Sequence, residues 1–155
     1  LPPIASLTTT ESELAKLPEN ARSGHLTVSP YFGSEDSVSN KKFVELYKSK
    51  YGDTHQPSVY TETTYSQIHL LCEGLKWSAS DSSQDILSSL SNIILDTPGG
   101  QISLDKNTNH TILKRMIGES NENGEFDIVW SSPEVVNPDP YLMSYDRLIV
   151  PKRMI

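Results

Sequence analysis

Residues 1–13, LPPIASLTTTESE, decide how the chain is read. The apolar run Ile4-Ala5-Ser6-Leu7 predicts a strand over residues 3–7, and three threonines, Thr8, Thr9 and Thr10, follow it. Thr10 with Glu13 three residues later has the form of a capping box, which makes Thr10 the N-cap of a helix over 11–17 that stops before Pro18. A strand that runs through hydroxyls into a helix start is where open α/β sheets hold ligand groups. The strand's carboxyl end and the helix's unpaired N–H groups face the same crevice. Read locally, the same threonines serve equally well as turn and cap residues.

Working outward, residues 20–24 read as a loop, and the alternation in HLTVSP over 25–30 reads as a second strand that leaves through a turn at 31–34. A helix over 38–51 gathers Phe43, Leu46, Tyr47 and Tyr51 on one face and ends at Gly52. The longest helix, 60–77, carries a stripe of Tyr65, Ile68, Leu71, Cys72 and Leu75 expected to face the core, with Cys72 as an inert buried thiol. A further helix over 83–91 carries Ile86, Leu87 and Leu90. The texture changes at residue 93. Ile93-Ile94-Leu95 and residues 101–104 flank the turn DTPGG and predict a hairpin. Residues 112–119 and 125–131 predict a second hairpin in which Phe126, Ile128 and Trp130 share one face. The order is β-α-β, then helices, then hairpins, which is a mixed α/β chain. If the helical block packs on a different body from the hairpins, residues 29–33 and 93–104 are crossovers between two lobes.

A length of 155 residues allows one domain with a real core. The net charge of −7 argues against nucleic acid as a partner, since the basic clusters Lys41-Lys42, Lys114-Arg115 and Lys152-Arg153 are too short for a phosphate footprint. No apolar run is long enough to span a bilayer. A single cysteine excludes an internal disulfide. The chain opens inside a strand with no lead-in, so a piece of a longer protein is expected.

None of His25, His55, His69 and His110 pairs with another His or a Cys at ligand spacing, so no metal site is expected. There is no nucleophile elbow, no P-loop and no dinucleotide-type glycine fingerprint, so no catalytic residue and no cofactor is assigned. Asn109-His110-Thr111 matches a glycosylation sequon and marks an exposed loop. Three spots offer polar groups to a small ligand: Thr8 with its neighbour Thr9, Tyr31 beside the crossover, and Glu62 with Tyr65 at the start of the long helix. A buried hydroxyl both donates and accepts, which suits a neutral amide. The plainer readings are core aromatics for the tyrosines and, for Glu62, a carboxylate placed well at a helix N-terminus.

The segments PPIASLTTTESE at 2–13, GHLTVSPYF at 24–32, KKFVELYKSKYG at 41–52, ETTY at 62–65, DTPGGQISLDKNTNH at 96–110 and GEFDIVWSSPEVVNPDPY at 124–141 carry a resemblance. The sequence resembles the amide- and urea-binding branch of the type I periplasmic-binding-protein superfamily, the Leu/Ile/Val-binding type. The IASLTT run looks most like sensors that control aliphatic amidase operons. The Lys-Tyr-Gly and FDIVWSS segments look equally like urea-binding components of ABC importers.

The resemblance implies an α/β fold, part of a two-lobed clamshell of parallel-sheet lobes with C-terminal β-hairpins, the N-terminal half missing. Residues 1–30 would belong to the C-terminal lobe, 31–92 would pack on the N-terminal lobe, and 93–155 would return to the C-terminal lobe, with the tail leaving the pattern after Tyr141. The chain would be a non-enzymatic solute-binding component, periplasmic or extracellular in a bacterium, presenting a short-chain amide or urea to a membrane ABC permease. The alternative it implies is a cytoplasmic amide sensor acting through a regulatory protein. In the amide sensors the first threonine of the SLTT run contributes to the pocket, and that position is Thr8. Tyr31 and Glu62 match positions near the crossover and cleft. With half of each lobe missing, the apolar faces of the 60–77 helix and the 3–7 strand would be uncovered, and the chain would self-associate or be found with its missing half.

Overall fold

The computed structural model describes residues 2–140. The tail expected to depart from the family pattern after Tyr141 lies outside them. Two sheets organise the chain. Sheet A has the order β1 (Ala5–Ser6), β2 (Leu26–Ser29), β6 (Met116–Ser120), β7 (Phe126–Ser131), and sheet B the order β3 (Ile94–Thr97), β4 (Gly100–Leu104), β5 (Thr111–Ile112). Between β2 and β3 lie α2 (Val38–Tyr51), α3 (Val59–Trp77) and α4 (Ser83–Leu90), and α1 (Glu11–Leu14) follows β1. The expected parallel sheet is realised only in β1–β2, because β6 and β7 join sheet A antiparallel.

The predicted strand over 112–119 divides in two. Thr111 and Ile112 pair with β4 in sheet B, and Met116 to Glu119 pair with β2 in sheet A. Residues 113–115 therefore carry the chain from one sheet to the other, a switch that an alternating pattern does not reveal. The alternation in β7 also breaks. Gly118 faces Ile128 but Ile117 faces Trp130, so Val129 is the extra residue of a bulge. Phe126 and Ile128 stay on the packed face, and Trp130 turns to the opposite face, half exposed.

The core sits on one face of sheet A. Leu14, Phe32, Met116 and Phe126 are its buried members, with Ile128 packed against them. The rings of Phe32 and Phe126 lie 5.1 Å apart. The other face carries Leu26, Val28 and Trp130, all exposed within the chain.

The helices start where hydroxyls stand at their caps. The Thr10 side chain accepts the Ser12 N–H, and the Glu13 carboxylate reaches back to the Thr10 N–H at 2.9 Å, so the capping box is complete. Ser37 accepts the Asn40 N–H and Ser82 the Asp85 N–H. The α3 stripe is not the buried face. Glu62, Ser66, Leu70 and Gly74 are buried, whereas Ile68, Leu71 and Leu75 are exposed, and so is Cys72, contrary to the buried thiol expected. The apolar face of this helix is uncovered within the described residues, as expected if the two-lobed fold is only partly present, and α4 covers the other side. A Cβ on Gly74 would stand 2.6 Å from Leu90 Cδ2, so α4 approaches α3 over the glycine, and the small and hydrogen-bonded side of the helix is the one covered. Ile4 and Leu7 are also exposed.

Candidate functional site

The loop after β1 is organised by a residue that sequence reading passed over. Ser6 Oγ accepts the N–H groups of Thr8 and Thr9, both at 3.1 Å, and the Thr9 hydroxyl at 2.8 Å. A serine followed two and three residues later by threonines is the signal that was available, a hydroxyl turn of the kind that competes with regular structure. Thr8 is left with its side chain exposed, and Thr9 is half-buried. Because β1 and β2 run parallel, with Ser6 opposite Thr27, the Thr8–Thr9 loop and Pro30 lie at the same end of sheet A.

Glu62 lines a cleft that also includes Pro30. It is buried in the first turn of α3, where its Oε1 accepts the Ser66 hydroxyl at 2.6 Å and the Gly99 N–H at 3.3 Å. Gly99 lies between β3 and β4, and a Cβ there would meet the Pro30 carbonyl at 3.3 Å and the Glu62 carboxyl carbon at 3.5 Å. The carboxylate therefore ties the start of α3 to the turn of sheet B, and Gly99 sets that turn against the exit of β2. The cleft, of about 70 Å³, opens beside it, lined also by Ser66, Gln67, Thr97 and Thr111. No lysine or arginine is among its described lining residues. The spacing of Glu62 and Ser66, one helical turn apart, was legible. Their link to Gly99, 37 residues on, was not.

Tyr31 is placed differently. It is 1% exposed, edge-on to Phe43 at 6.2 Å, and its hydroxyl donates to Asn40 Oδ1 at 2.8 Å. Burial holds its ionisation far above the ordinary tyrosine range, with Glu11, Glu62 and Glu35 adding to the effect, so the hydroxyl is a fixed neutral donor. Asn40 completes the arrangement through Nδ2, which donates to the Gly33 and Glu35 carbonyls at 2.9 and 2.8 Å. Glu11 fixes the same crossover from the other side by accepting the Gly33 N–H at 3.0 Å. Burial raises the Glu11 pKa, the Gly33 N–H opposes that, and the charges of Glu125 and Glu13 reinforce it. Of the four residues proposed from sequence, Glu62 lines the cleft, Thr8 and Thr9 lie in the loop at the end of sheet A and are not among the described lining of that cleft, and Tyr31 is engaged in the core.

Among the described residues no helix is long and apolar enough to cross a membrane, and no three or more His, Cys, Asp or Glu side chains gather where they could hold a metal.

The fold has clear counterparts. A solute-binding protein of an ABC transporter from Rhodopseudomonas palustris, solved with 3,4-dihydroxybenzoic acid, superposes with a TM-score of 0.73 at 24% identity, over 83% of this chain and 36% of that one. A protein from Brucella ovis that binds leucine, isoleucine, valine, threonine and alanine, in its closed conformation, superposes with a TM-score of 0.64 at 20% identity, over 76% of this chain and 33% of that one. A curated relative named limonene hydroxylase, from Geobacillus stearothermophilus, is 34% identical over 119 residues, which are 77% of this chain and 22% of that protein. The chain thus spans well under half the length of the proteins it matches, and the structural likenesses show a fold of the type I periplasmic-binding-protein class. The family model described as "Periplasmic binding protein domain" matches residues 2–147, and the chain belongs to that family.

Proposed function

We propose that this chain is part of the solute-binding component of an ABC importer, that it acts outside the cytoplasmic membrane, and that it binds its solute without turning it over. The solute is a short amide or urea, held between two lobes by Thr8, Thr9 and Glu62. One observation carries the choice of solute: the buried Glu62 carboxylate faces a small cleft with no basic side chain in its described lining. A carboxylate accepts the N–H groups of an amide, and it repels the carboxylate of an aromatic acid or an amino acid. The cleft has room for a few heavy atoms. Thr8 adds a hydroxyl that donates to a carbonyl. Contacts made by both lobes favour closure over the open state, since only differential contacts shift that equilibrium. A micromolar site needs roughly −8 kcal/mol, within reach of a few buried hydrogen bonds and an apolar wall.

The test is calorimetric titration of the full-length protein with urea, acetamide, leucine and benzoate, repeated with Thr8→Val and Glu62→Gln. Urea or acetamide binds, and each variant weakens it by about 1–3 kcal/mol, the loss of one buried hydrogen bond. Leucine or benzoate binding that these variants weaken, or amide binding that they leave untouched, overturns the reading. Release of ammonia from urea or acetamide overturns the non-enzymatic role, as does turnover of limonene.

A further inference from the structure

The Glu62 carboxylate is engaged through one of its two oxygens. Oε1 takes both donors, the Ser66 hydroxyl at 2.6 Å and the Gly99 N–H at 3.3 Å, and a carboxylate oxygen has lone pairs for about two. Oε2 takes no donor among the described residues. It is not sealed there either, since the one buried side-chain polar atom without a partner is Thr27 Oγ1. Glu62 lines the cleft, so the free oxygen is the one open to it. The choice made by Ser66 is unusual for a helix. A hydroxyl inside a helix ordinarily bonds back to the carbonyl four residues earlier, and Thr64 does so, donating to the Tyr60 carbonyl at 2.8 Å. Ser66 gives its proton to the Glu62 side chain instead. Both residues are buried and lie on the covered side of α3, so the pair is already in place without any further segment of chain.

We infer that Ser66 is the positioning residue of this cleft: by occupying Oε1 it leaves Oε2 as the single fixed acceptor, and so sets which arrangement of N–H groups the cleft binds best. The inference rests on the amide reading above and deepens it. Ser66 has already given its proton to Glu62, so it acts through the carboxylate. Urea and acetamide are nearly the same in size and shape, and they differ in an amino group against a methyl. The N–H bonds of urea that point away from its carbonyl, one on each nitrogen, converge, and a single oxygen accepts both. Acetamide has one such N–H, and its methyl brings no donor to the second lone pair. A fixed single oxygen therefore separates the two by one hydrogen bond to a charged group, where shape alone separates them hardly at all. A carboxylate free to turn follows the single N–H of acetamide as readily as it meets urea, and the separation shrinks.

The test is calorimetric titration of the full-length protein with urea and with acetamide, on the native protein, Ser66→Ala, Glu62→Gln and the double variant, with thermal unfolding of each as the check on the fold. The native protein binds urea about tenfold more tightly than acetamide. Ser66→Ala weakens urea about fivefold to tenfold and acetamide less than about twofold, so the ratio of the two affinities falls toward one. Loss of packing alone would weaken both together and leave that ratio where it was. Combined with Glu62→Gln, Ser66→Ala has no further effect, because the acceptor it positions is gone. Should Ser66→Ala not fold, Ser66→Cys keeps a small side chain with only a weak donor, and the same fall in the ratio is expected. The inference alone is overturned if Glu62→Gln weakens urea binding while the Ser66 variant leaves the ratio unchanged, if the native protein does not prefer urea, or if Ser66→Ala acts equally with and without Glu62. If neither solute binds, or Glu62→Gln leaves binding untouched, the amide reading falls and the inference falls with it.

Discussion

Replacing Asn40 with alanine tests how the crossover after β2 is held. Asn40 is 1% exposed, and its side chain serves three partners: the Tyr31 hydroxyl at 2.8 Å, the Gly33 carbonyl at 2.9 Å and the Glu35 carbonyl at 2.8 Å. Truncation leaves all three without that partner. A buried group deprived of its hydrogen bond costs about 1–3 kcal/mol, and water reaching the two carbonyls reduces part of the sum. The expected loss is about 3–5 kcal/mol, a large share of the roughly 5–15 kcal/mol that holds a domain folded. Tyr31→Phe removes one bond from the same set, keeps the ring against Phe43, and costs about 1 kcal/mol. The two residues share a bond, so the double variant loses less than the sum of the singles by about 1 kcal/mol. The assay is guanidinium unfolding followed by far-UV circular dichroism, with unchanged m values as the check that only stability has moved. A loss under about 1 kcal/mol for Asn40→Ala, or additive singles, refutes the argument. Tyr31→Phe also separates support from ligand contact. It leaves urea affinity unchanged, and a tenfold loss of affinity without loss of stability would make Tyr31 a ligand residue.

Two further outcomes follow from the packing. Burial raises the Glu11 pKa above its ordinary value of 4.5, so between the unfolded and folded pKa values the native state binds more protons and stability falls as pH rises. Glu11→Gln keeps an acceptor for the Gly33 N–H, so the variant is more stable than the native chain at pH 7, and the difference closes as pH falls to the unfolded carboxylate range; chemical denaturation across that range shows it. Gly118→Ala places a Cβ 2.7 Å from Phe32 Cζ and 3.0 Å from Phe126 Cβ, and the overpacking lowers stability by about 1–3 kcal/mol in the same unfolding assay.

Much of the local structure was written in the sequence because short-range chemistry dictates it. The Thr10–Glu13 capping box, the helix from Ser37 to Gly52 and the hairpin around Pro98-Gly99 all depend on residues within a few positions of one another. The site was legible only in part. Thr8 and Thr9 were marked by their place between strand and helix, but the serine that fixes them, Ser6, does so through a turn and not through a pattern of period. Glu62 was marked by its helix, and its meaning comes from Gly99 in the turn of sheet B.

The sequence by itself determined the family, the order of elements and the caps, since these follow from motifs and from bonds between near neighbours. Tertiary structure decided which side of each element is buried. It placed α4 over the Leu70 and Gly74 side of α3, where the glycine lets Leu90 approach. It sent Trp130 to the far face through the bulge at Val129, and it divided the run over 112–119 between two sheets. It also closed the Tyr31 hydroxyl onto Asn40. Each of these depends on a partner distant in the chain, and hydrophobic burial is non-directional, so a pattern of apolar residues fixes an amphipathic face without fixing what comes to cover it.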